Sequence, residues 1–368
     1  MGIEVIFNAH NWALLPFHFW SLVFFALGCI IGSFLNVCIY RMPLDLSVVT
    51  PPSHCPHCKY AIPFYLNIPL VTWLALRGRC KNCRAPISPR YFIVELLTGM
   101  VFLGCWLAFG SQSAWLVIVY AILLAGLICA TFIDFEHFII PDEITFGGMV
   151  VGFGVSFFLP QLHDVNSIGA GMLRSVIGIV AGAGIVYAIL RLGKLLFGRQ
   201  KLKLPLDTKI IFSETHLHFS GKKIPYEELF YRKTDVIVLQ ARTVELIDRG
   251  YENVLVRLTP SSLKIGAEEI APDGVPYLEA VSAEIILPRE AMGLGDVKFM
   301  GAIGAFIGWQ GVIFSLAVSS FIGAVVGVSL ILMRKRAWSS RMPYGPYIAL
   351  ATAIWIFGGK KFFQSLFH

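Results

Sequence analysis

Hydrophobic residues run along this chain in long blocks rather than in the short alternations of a soluble fold. Blocks of about 20 apolar positions, the length that crosses a bilayer, are separated by short polar links. They predict about eight transmembrane helices, near 17–40, 91–110, 113–133, 144–160, 168–198, 297–309, 311–333 and 344–359. The sixth is short for a bilayer and is expected to tilt, or to break at its Gly-rich start. Two stretches interrupt the pattern. Residues 41–92 are polar, and 199–290 mix β-branched and polar residues over strand lengths, as at 208–214, 235–239 and 253–258, with turn signals at Ser220-Gly221 and Asp273-Gly274. The predicted fold is therefore a polytopic α-helical membrane protein with a small β-rich domain inserted between spans five and six. Its segments are an N-terminal span (1–40), a polar loop (41–92), membrane helices (93–198), the soluble insert (199–290) and the last membrane helices (291–368).

Composition agrees. Of 368 residues, 56% are hydrophobic and 14% charged, and the mean hydropathy is +0.71. A soluble surface normally has about a quarter of its residues charged, and the same figures exclude a disordered chain or a disulfide-stapled secreted domain. The distribution of charge is more informative than its amount. Residues 199–290 hold 27 of the 53 charged side chains, 13 basic and 14 acidic, so the net +7 belongs to the membrane part. Segment 41–92 has seven basic residues (Arg41, Lys59, Arg77, Arg79, Lys81, Arg84, Arg90) against one acid, Asp45. Basic excess beside apolar spans is the positive-inside signal rather than a nucleic-acid footprint, so no nucleic-acid partner is expected and this loop is placed in the cytoplasm. Alternation then puts 134–143, the insert and Arg334-Lys335-Arg336 on the cytoplasmic side and the N-terminus outside. The outer links near 111, 160–167 and 310 contain no Lys or Arg, whereas Lys360 and Lys361 dissent. No basic residue precedes Arg41, so the first span is expected to be retained rather than cleaved as a signal peptide. GxxxG spacings at Gly28/Gly32, Gly148/Gly152, Gly178/Gly182, Gly304/Gly308 and Gly323/Gly327 suit close helix packing.

The polar loop carries the first chemical motif. Cys55-Pro-His-Cys58 and Cys80-Lys-Asn-Cys83 form two C-x2-C pairs 21 residues apart. Each pair sits on a tight turn that presents two thiolates, and two such turns close a tetrahedral zinc site. The alternative, two disulfides, is disfavoured in a reducing compartment. A closed four-Cys site leaves no open position for catalysis, so one zinc would organise a loop too small for its own core. His54 or His57 could replace a thiolate, but with four Cys available they read as bystanders. Cys29, Cys38, Cys105 and Cys129 lie in apolar spans and read as small buried hydrophobes.

The second motif is acidic. Only nine carboxylates lie outside the insert, and five fall at two places: Asp134, Glu136, Asp142 and Glu143 in Ile133-Asp-Phe-Glu-His-Phe-Ile-Ile-Pro-Asp-Glu143, and Asp296 in Gly293-Leu-Gly-Asp-Val-Lys298. Acids at membrane depth are costly and usually functional. Asp134 ends span three and Asp296 begins span six, both on the cytoplasmic side, so they can meet. Of two adjoining carboxylates, one holds the proton the other loses; the ionised member activates water while the protonated one polarises a peptide carbonyl, which is aspartic proteolysis. Gly293 and Gly295 would allow the irregular backbone that positions Asp296. The structural alternative is that these acids cap helices or pair with Lys298 and nearby Arg, and it is favoured for Glu136 and Glu143. Asp142, after Pro141, suits a helix N-cap and is a secondary candidate for tuning the pair. Arg90 and Glu95 suit a simple ion pair, and Asn36 either a bond to a facing helix or a substrate contact.

Taken together, these residues resemble the type IV prepilin peptidases, bifunctional leader peptidase/N-methyltransferases of the bacterial inner membrane. The resemblance rests on Gly32-Ser-Phe-Leu-Asn-Val-Cys-Ile-Tyr-Arg-Met-Pro43, both C-x2-C pairs, Ile87-Ser-Pro-Arg-Tyr91 leading to Glu95, Asp134 with Ile140-Pro-Asp142, Pro288-Arg-Glu-Ala-Met-Gly-Leu-Gly-Asp-Val-Lys298, and Pro343-Tyr-Gly-Pro346, in the family's order. It implies an intramembrane aspartic endopeptidase of the GxGD type whose catalytic pair maps onto Asp134 and Asp296. The implied substrate is a prepilin or pseudopilin, cut on the cytoplasmic face after a basic leader and then methylated at its new N-terminus from S-adenosylmethionine. The family's zinc site maps onto Cys55, Cys58, Cys80 and Cys83, and methyl transfer is associated with that region, including Gly78. Glu136 stands where many members have Asp, and the insert sets Asp134 and Asp296 162 positions apart, beyond the usual separation. The insert could be a scaffold, gate substrate access or bind a pilus or type II secretion assembly partner. The rival class is a non-enzymatic membrane assembly or transport component whose acids bind ions or protons.

Overall fold

The computed structural model describes residues 16–197, 199–226, 229–230, 235–246, 249–271, 277–288, 293–333 and 342–367. Its helices are α1 (Phe17–Arg41), α2 (Val71–Ala75), α3 (Pro89–Phe109), α4 (Ala114–His137), α5 (Asp142–Phe158), α6 (Ile168–Phe197), α7 (Leu294–Leu332), α8 (Gly345–Ile354) and α9 (Lys360–Phe367). Eight strands, β1 (Arg199–Ser213), β2 (His216–Phe219), β3 (Lys222–Pro225), β4 (Ile237–Glu245), β5 (Gly250–Leu258), β6 (Leu263–Ile265), β7 (Glu268–Ile270) and β8 (Tyr277–Pro288), fill the interval between α6 and α7. The chain divides into two compact units, Met1–Tyr187 with Leu294–His368, and Ala188–Gly293.

The first unit is helical. Among the described residues, five helices are long and apolar enough to cross a membrane: His18–Leu44, Pro89–Phe109, Ala114–His137, Ile168–Leu195 and Leu294–Leu332. Large apolar side chains point outward along them, for example Leu22, Ile30, Val180 and Phe321, as expected where lipid rather than water is the solvent. The spans expected at 144–160 and 344–359 correspond to the 17-residue α5 and to α8, which continues through a π-turn (Trp355–Gly359) into α9. The two expected at 297–309 and 311–333 are the two arms of α7, which is broken between them at the non-helical Gly308 (φ 69°, ψ 177°).

That kink explains a polar cluster at this end of the unit. A break in a membrane helix frees backbone carbonyls, which must find other donors. Ser175 Oγ donates to Ala305 O at 2.9 Å, and the His163 imidazole also bonds to that carbonyl. His163 Nε2 lies 2.9 Å from Ser156 Oγ, and Arg174 donates to the His163 carbonyl at 2.7 Å. Burial, with Lys360 and Arg174 nearby, pulls the His163 pKa down to about 4, so the ring is held neutral.

Small residues set the helix spacing. A Cβ on Gly28 or Gly32 would lie 2.7 Å from the backbone of α3, at Thr98 O and Glu95 Cα, and one on Gly178 or Gly182 would strike the α7 carbonyls of Gly304 and Met300. Gly148 and Gly152 face Ala302 and Ala305 in the same way. These spacings pack helices, as the sequence suggests. The four Cys residues in apolar spans are all buried.

The second unit is one antiparallel sheet in the order β3-β2-β1-β8-β4-β5-β6-β7. Ile210, Leu217, Ile237, Val256, Ile265, Leu278 and Ile285, from six strands, form a single buried core. With no second layer among the described residues, burial from β2 through β6 requires the sheet to curl over its own apolar face. The strand expected at 208–214 is in fact fifteen residues long, because β1 pairs with β8 from Arg199↔Pro288 to Ser213↔Tyr277 with a register shift between Lys203 and Thr208. The insert thus begins and ends on neighbouring strands. The turn expected at Asp273-Gly274 lies outside the described residues, whereas Ser220 and Gly221 do form a turn, both at positive φ.

Candidate active site and four-thiol centre

Cys55, Cys58, Cys80 and Cys83 come together. Their sulfur atoms lie within 4.8 Å of one another, with Cys55 to Cys83 at 3.8 Å and Cys58 to Cys80 at 4.0 Å. A tetrahedral ion with four arms of 2.3 Å sets its sulfurs about 3.8 Å apart, so the set could hold one metal ion. The local chain makes each half of the site the same way. Cys55 N donates to Tyr60 O and Lys59 N to Cys55 O; Cys80 N donates to Ala85 O and Arg84 N to Cys80 O. Lys59 and Arg84 both take positive φ, and each turn is closed by a bridge, His54 with Ala61 and Arg79 with Pro86. The backbone N–H of Tyr60 and the Asn82 amide draw the Cys58 thiol down to about 6, and the N–H groups of Cys83 and Asn82 lower Cys80. Thiolates are the ligating form, so these bonds prepare Cys58 and Cys80 for a cation.

The acidic motif is assembled differently. Asp134 occupies the last turn of α4 and is 6% exposed. That helix ends because Phe138 turns left-handed (φ 55°) and returns its N–H to Asp134 O. The Asp134 carboxylate accepts the N–H of Gly345, at the start of α8, at 2.9 Å. A Cβ on Gly345 would stand 2.8 Å from Asp134 Oδ2 and 3.4 Å from Ile140 Cδ1, so a side chain there would displace the acid. Asp296 sits half-buried on the first turn of α7, and its neighbour Gly295 packs on Ile140, a Cβ there lying 3.5 Å from Ile140 Cβ. Ile140 therefore touches both Gly345, which holds Asp134, and Gly295, which precedes Asp296. Gly293 is exposed just before α7; the preceding residues 289–292 lie outside the described set.

The remaining expected site residues surround this arrangement. Lys298 Nζ binds Asp142 Oδ1 at 2.6 Å and lies over the Phe146 ring, tying α7 to α5. Asp142 is not an N-cap. Pro141 holds that position, and Asp142, on the first helical turn, gives its carboxylate to Lys298 instead. The Arg90–Glu95 pair does not form either. Arg90 bridges to Glu136 on α4, while Glu95 accepts the Leu70 N–H at 2.7 Å. Asn36 donates to Tyr91 O on the facing α3 at 3.1 Å. Gly78 is buried at positive φ (63°), with the Trp73 indole where its Cβ would be. The sequence reading singles out neither Gly345 nor Ile140 as a site residue, although Pro343-Tyr-Gly-Pro346 and Ile140-Pro-Asp142 contain them.

Comparisons with known proteins converge on one group. The profile of the bacterial peptidase A24 N-terminal domain matches residues 26–109, and that of the type IV leader peptidase family matches 121–204 and 273–328. The gap in the second match falls within the β-rich unit. The chain is 28% identical over 371 aligned positions to a prepilin leader peptidase/N-methyltransferase of Aeromonas hydrophila, covering 94% of this chain and 93% of that protein. It is 47% identical over 133 residues to a protein of the same name from Myxococcus xanthus, a match that spans 36% of this chain and 39% of that one. A type 4 prepilin-like proteins leader peptide-processing enzyme of Escherichia coli is 44% identical over 143 residues, 34% of this chain and 52% of the other. No solved structure matches.

Proposed function

The chain belongs to the type IV leader peptidase family, and from that premise we propose that it is a membrane aspartic endopeptidase that removes the leaders of type IV prepilins and pseudopilins through Asp134 and Asp296. The observation that carries this reading is a buried Asp134 held by the Gly345 N–H, with the Gly-Leu-Gly-Asp helix start packed against the same Ile140. In the mechanism the ionised carboxylate of the pair takes a proton from water as that water attacks the scissile carbonyl. The protonated carboxyl donates to the carbonyl oxygen, and the leaving nitrogen departs once protonated.

Zinc is the ion that suits four thiolates at these separations, and it would be structural, fixing the fold of 41–92 without an open coordination position. The second activity in the relatives' names is N-methylation, and S-adenosylmethionine, when bound, supplies the electrophilic methyl group. Residues beside the four-thiol loop fit such a ligand. Buried Trp73 Nε1 and Asn36 Oδ1 have no hydrogen-bond partner among the described residues, and Gly78 leaves its space to the Trp73 ring. The basic excess of 41–92 supports a site on the cytoplasmic face of the bacterial inner membrane, and the β-rich insert is a surface for a pilus or type II secretion assembly partner.

Replacing Asp134 or Asp296 by Asn tests the pair. Leader removal from a co-expressed prepilin, followed by mass spectrometry, should fall at least about 100-fold, the scale of a general acid or base. Full cleavage by either variant in folded form would sink the dyad and favour an ion-binding assembly component.

A further inference from the structure

Proteolysis leaves one buried acid of the membrane unit unused. Among the described residues of that unit the buried carboxylates are Asp134 and Glu95, at 6% and 8% exposure. Glu136, Asp142 and Asp164 are paired with Arg90, Lys298 and Lys360, and Asp45 and Glu143 are exposed. Glu95 accepts the Leu70 N–H at 2.7 Å and a hydrogen bond from Ser33, and among the described residues no Lys, Arg or His pairs with it. A carboxylate buried at membrane depth without a cation is costly. A cationic ligand would supply the missing charge.

The surroundings point to which one. Leu70, whose N–H Glu95 holds, takes a left-handed backbone (φ 62°, ψ −52°), conformational strain of the kind that collects at functional sites in non-glycine residues. Three residues on, Trp73 packs on Phe92, one turn from Glu95 on α3, with ring centroids 5.2 Å apart. Trp73 Nε1 and the Oδ1 of Asn36, a residue 1% exposed on the facing α1, are both unpartnered. The Cys29 thiol of α1 lies within electrostatic reach of Glu95. Glu95 and Asp134 also lie toward the same end of the helical unit. The Arg90–Glu136 bridge ties the start of α3 to α4 two residues beyond Asp134, so Glu95, about one and a half turns into α3, and Asp134, in the last turn of α4, lie near the same end of packed, antiparallel helices. A sulfonium carries no N–H and is served by an aromatic face. The free lone pairs of a carboxylate call for a donor.

We propose that Glu95 receives the N-terminal ammonium of the freshly cut substrate and takes its proton, making the amine nucleophilic for methyl transfer. This rests on the reading that the chain methylates its own product. The N–H proton passes to the Glu95 carboxylate; the nitrogen lone pair forms the N–CH3 bond as the C–S bond of the sulfonium donor breaks, its electron pair remaining on sulfur. The N-methylated ammonium leaves, and Glu95 returns its proton to water.

The test uses the full-length, zinc-loaded enzyme in membranes with a prepilin, scoring leader removal and N-methylation separately by mass spectrometry from pH 6.5 to 9. Glu95→Gln keeps an acceptor for Leu70 but no base. It should cleave like wild type, methylate about 100-fold more slowly at pH 6.5, and recover as the substrate amine deprotonates on its own near pH 8. Glu95→Asp should methylate slowly with the flat profile of wild type. Undiminished methylation by Glu95→Gln at pH 6.5 would overturn the assignment, as would loss of cleavage, zinc and methylation together, which would mark a structural acid. A wild-type enzyme that cleaves but never methylates would remove the underlying reading and the proposal with it.

Discussion

The four-thiol loop and the acid site are both clusters of ionisable side chains, yet they are built on opposite principles. The thiols come from one segment, Cys55 to Cys83, and each pair is shaped by hydrogen bonds within its own six or so residues. The acid site draws on α4, α5, α7 and α8, and the Asp134–Gly345 hydrogen bond joins residues 211 apart in sequence. The first closes on itself, four sulfurs around a space that could hold one ion. The second is assembled across helices, with Asp134 placed by a backbone N–H from α8 rather than by a bond within its own segment.

The comparison can be broken most sharply at the thiols. With all four replaced by Ser, the protein should lose about one equivalent of zinc by metal analysis. The binding free energy of a structural site, about 10–16 kcal/mol in small zinc peptides, is largely folding free energy, so 41–92 should become protease-sensitive. Leader removal should fall by less than about tenfold, since Asp134 is held by Gly345 and not by the loop. Abolished cleavage by a variant whose helices remain intact would show that the two sites are one.

A smaller effect is expected at the contact that keeps the acid site open. Gly345→Ala places a methyl group 2.8 Å from Asp134 Oδ2, and overpacking of this kind costs about 1–3 kcal/mol, equivalent to about ten- to 100-fold in the rate of leader removal if it is borne by the reacting geometry. Zinc content should not change. A wild-type rate would mean that the Gly345 contact does not position Asp134.

The smallest effect belongs to the rim. Lys298 and Asp142 form a 2.6 Å pair whose side chains are 34% and 60% exposed. Such pairs contribute about 0–1 kcal/mol and are screened by salt. Lys298→Met should therefore shift thermal stability only slightly, less so at high salt. A larger loss would place this lysine inside the acid site's electrostatics rather than at its edge.

The same contrast explains what could be read in advance. C-x2-C spacing dictates a knuckle because the relevant bonds are local, and apolar runs dictate membrane helices because lipid requires backbone groups to be satisfied within the segment. Pairings between helices were not legible. Arg90 and Glu95 are five positions apart, so they point to different faces of α3, since only three- and four-residue spacings bring side chains together. Arg90 instead reaches Glu136 and Glu95 reaches Leu70. Asp142 resembled an N-cap, but the choice between capping and Lys298 was made by the approach of α7. β1 extends to Arg199 only because β8 is there to pair with it.

The sequence by itself determined the membrane character, the inserted β-rich block, the four-thiol set and the two acidic motifs, because each is written in residues a few positions apart. Tertiary structure alone decided that Gly345 grips Asp134, that Ile140 lies between the two motifs, and that Glu95 is buried with no cation paired to it among the described residues. Those outcomes depend on which helices pack against which. That choice is made by the summed burial and fit of whole faces, and no short stretch of residues contains it.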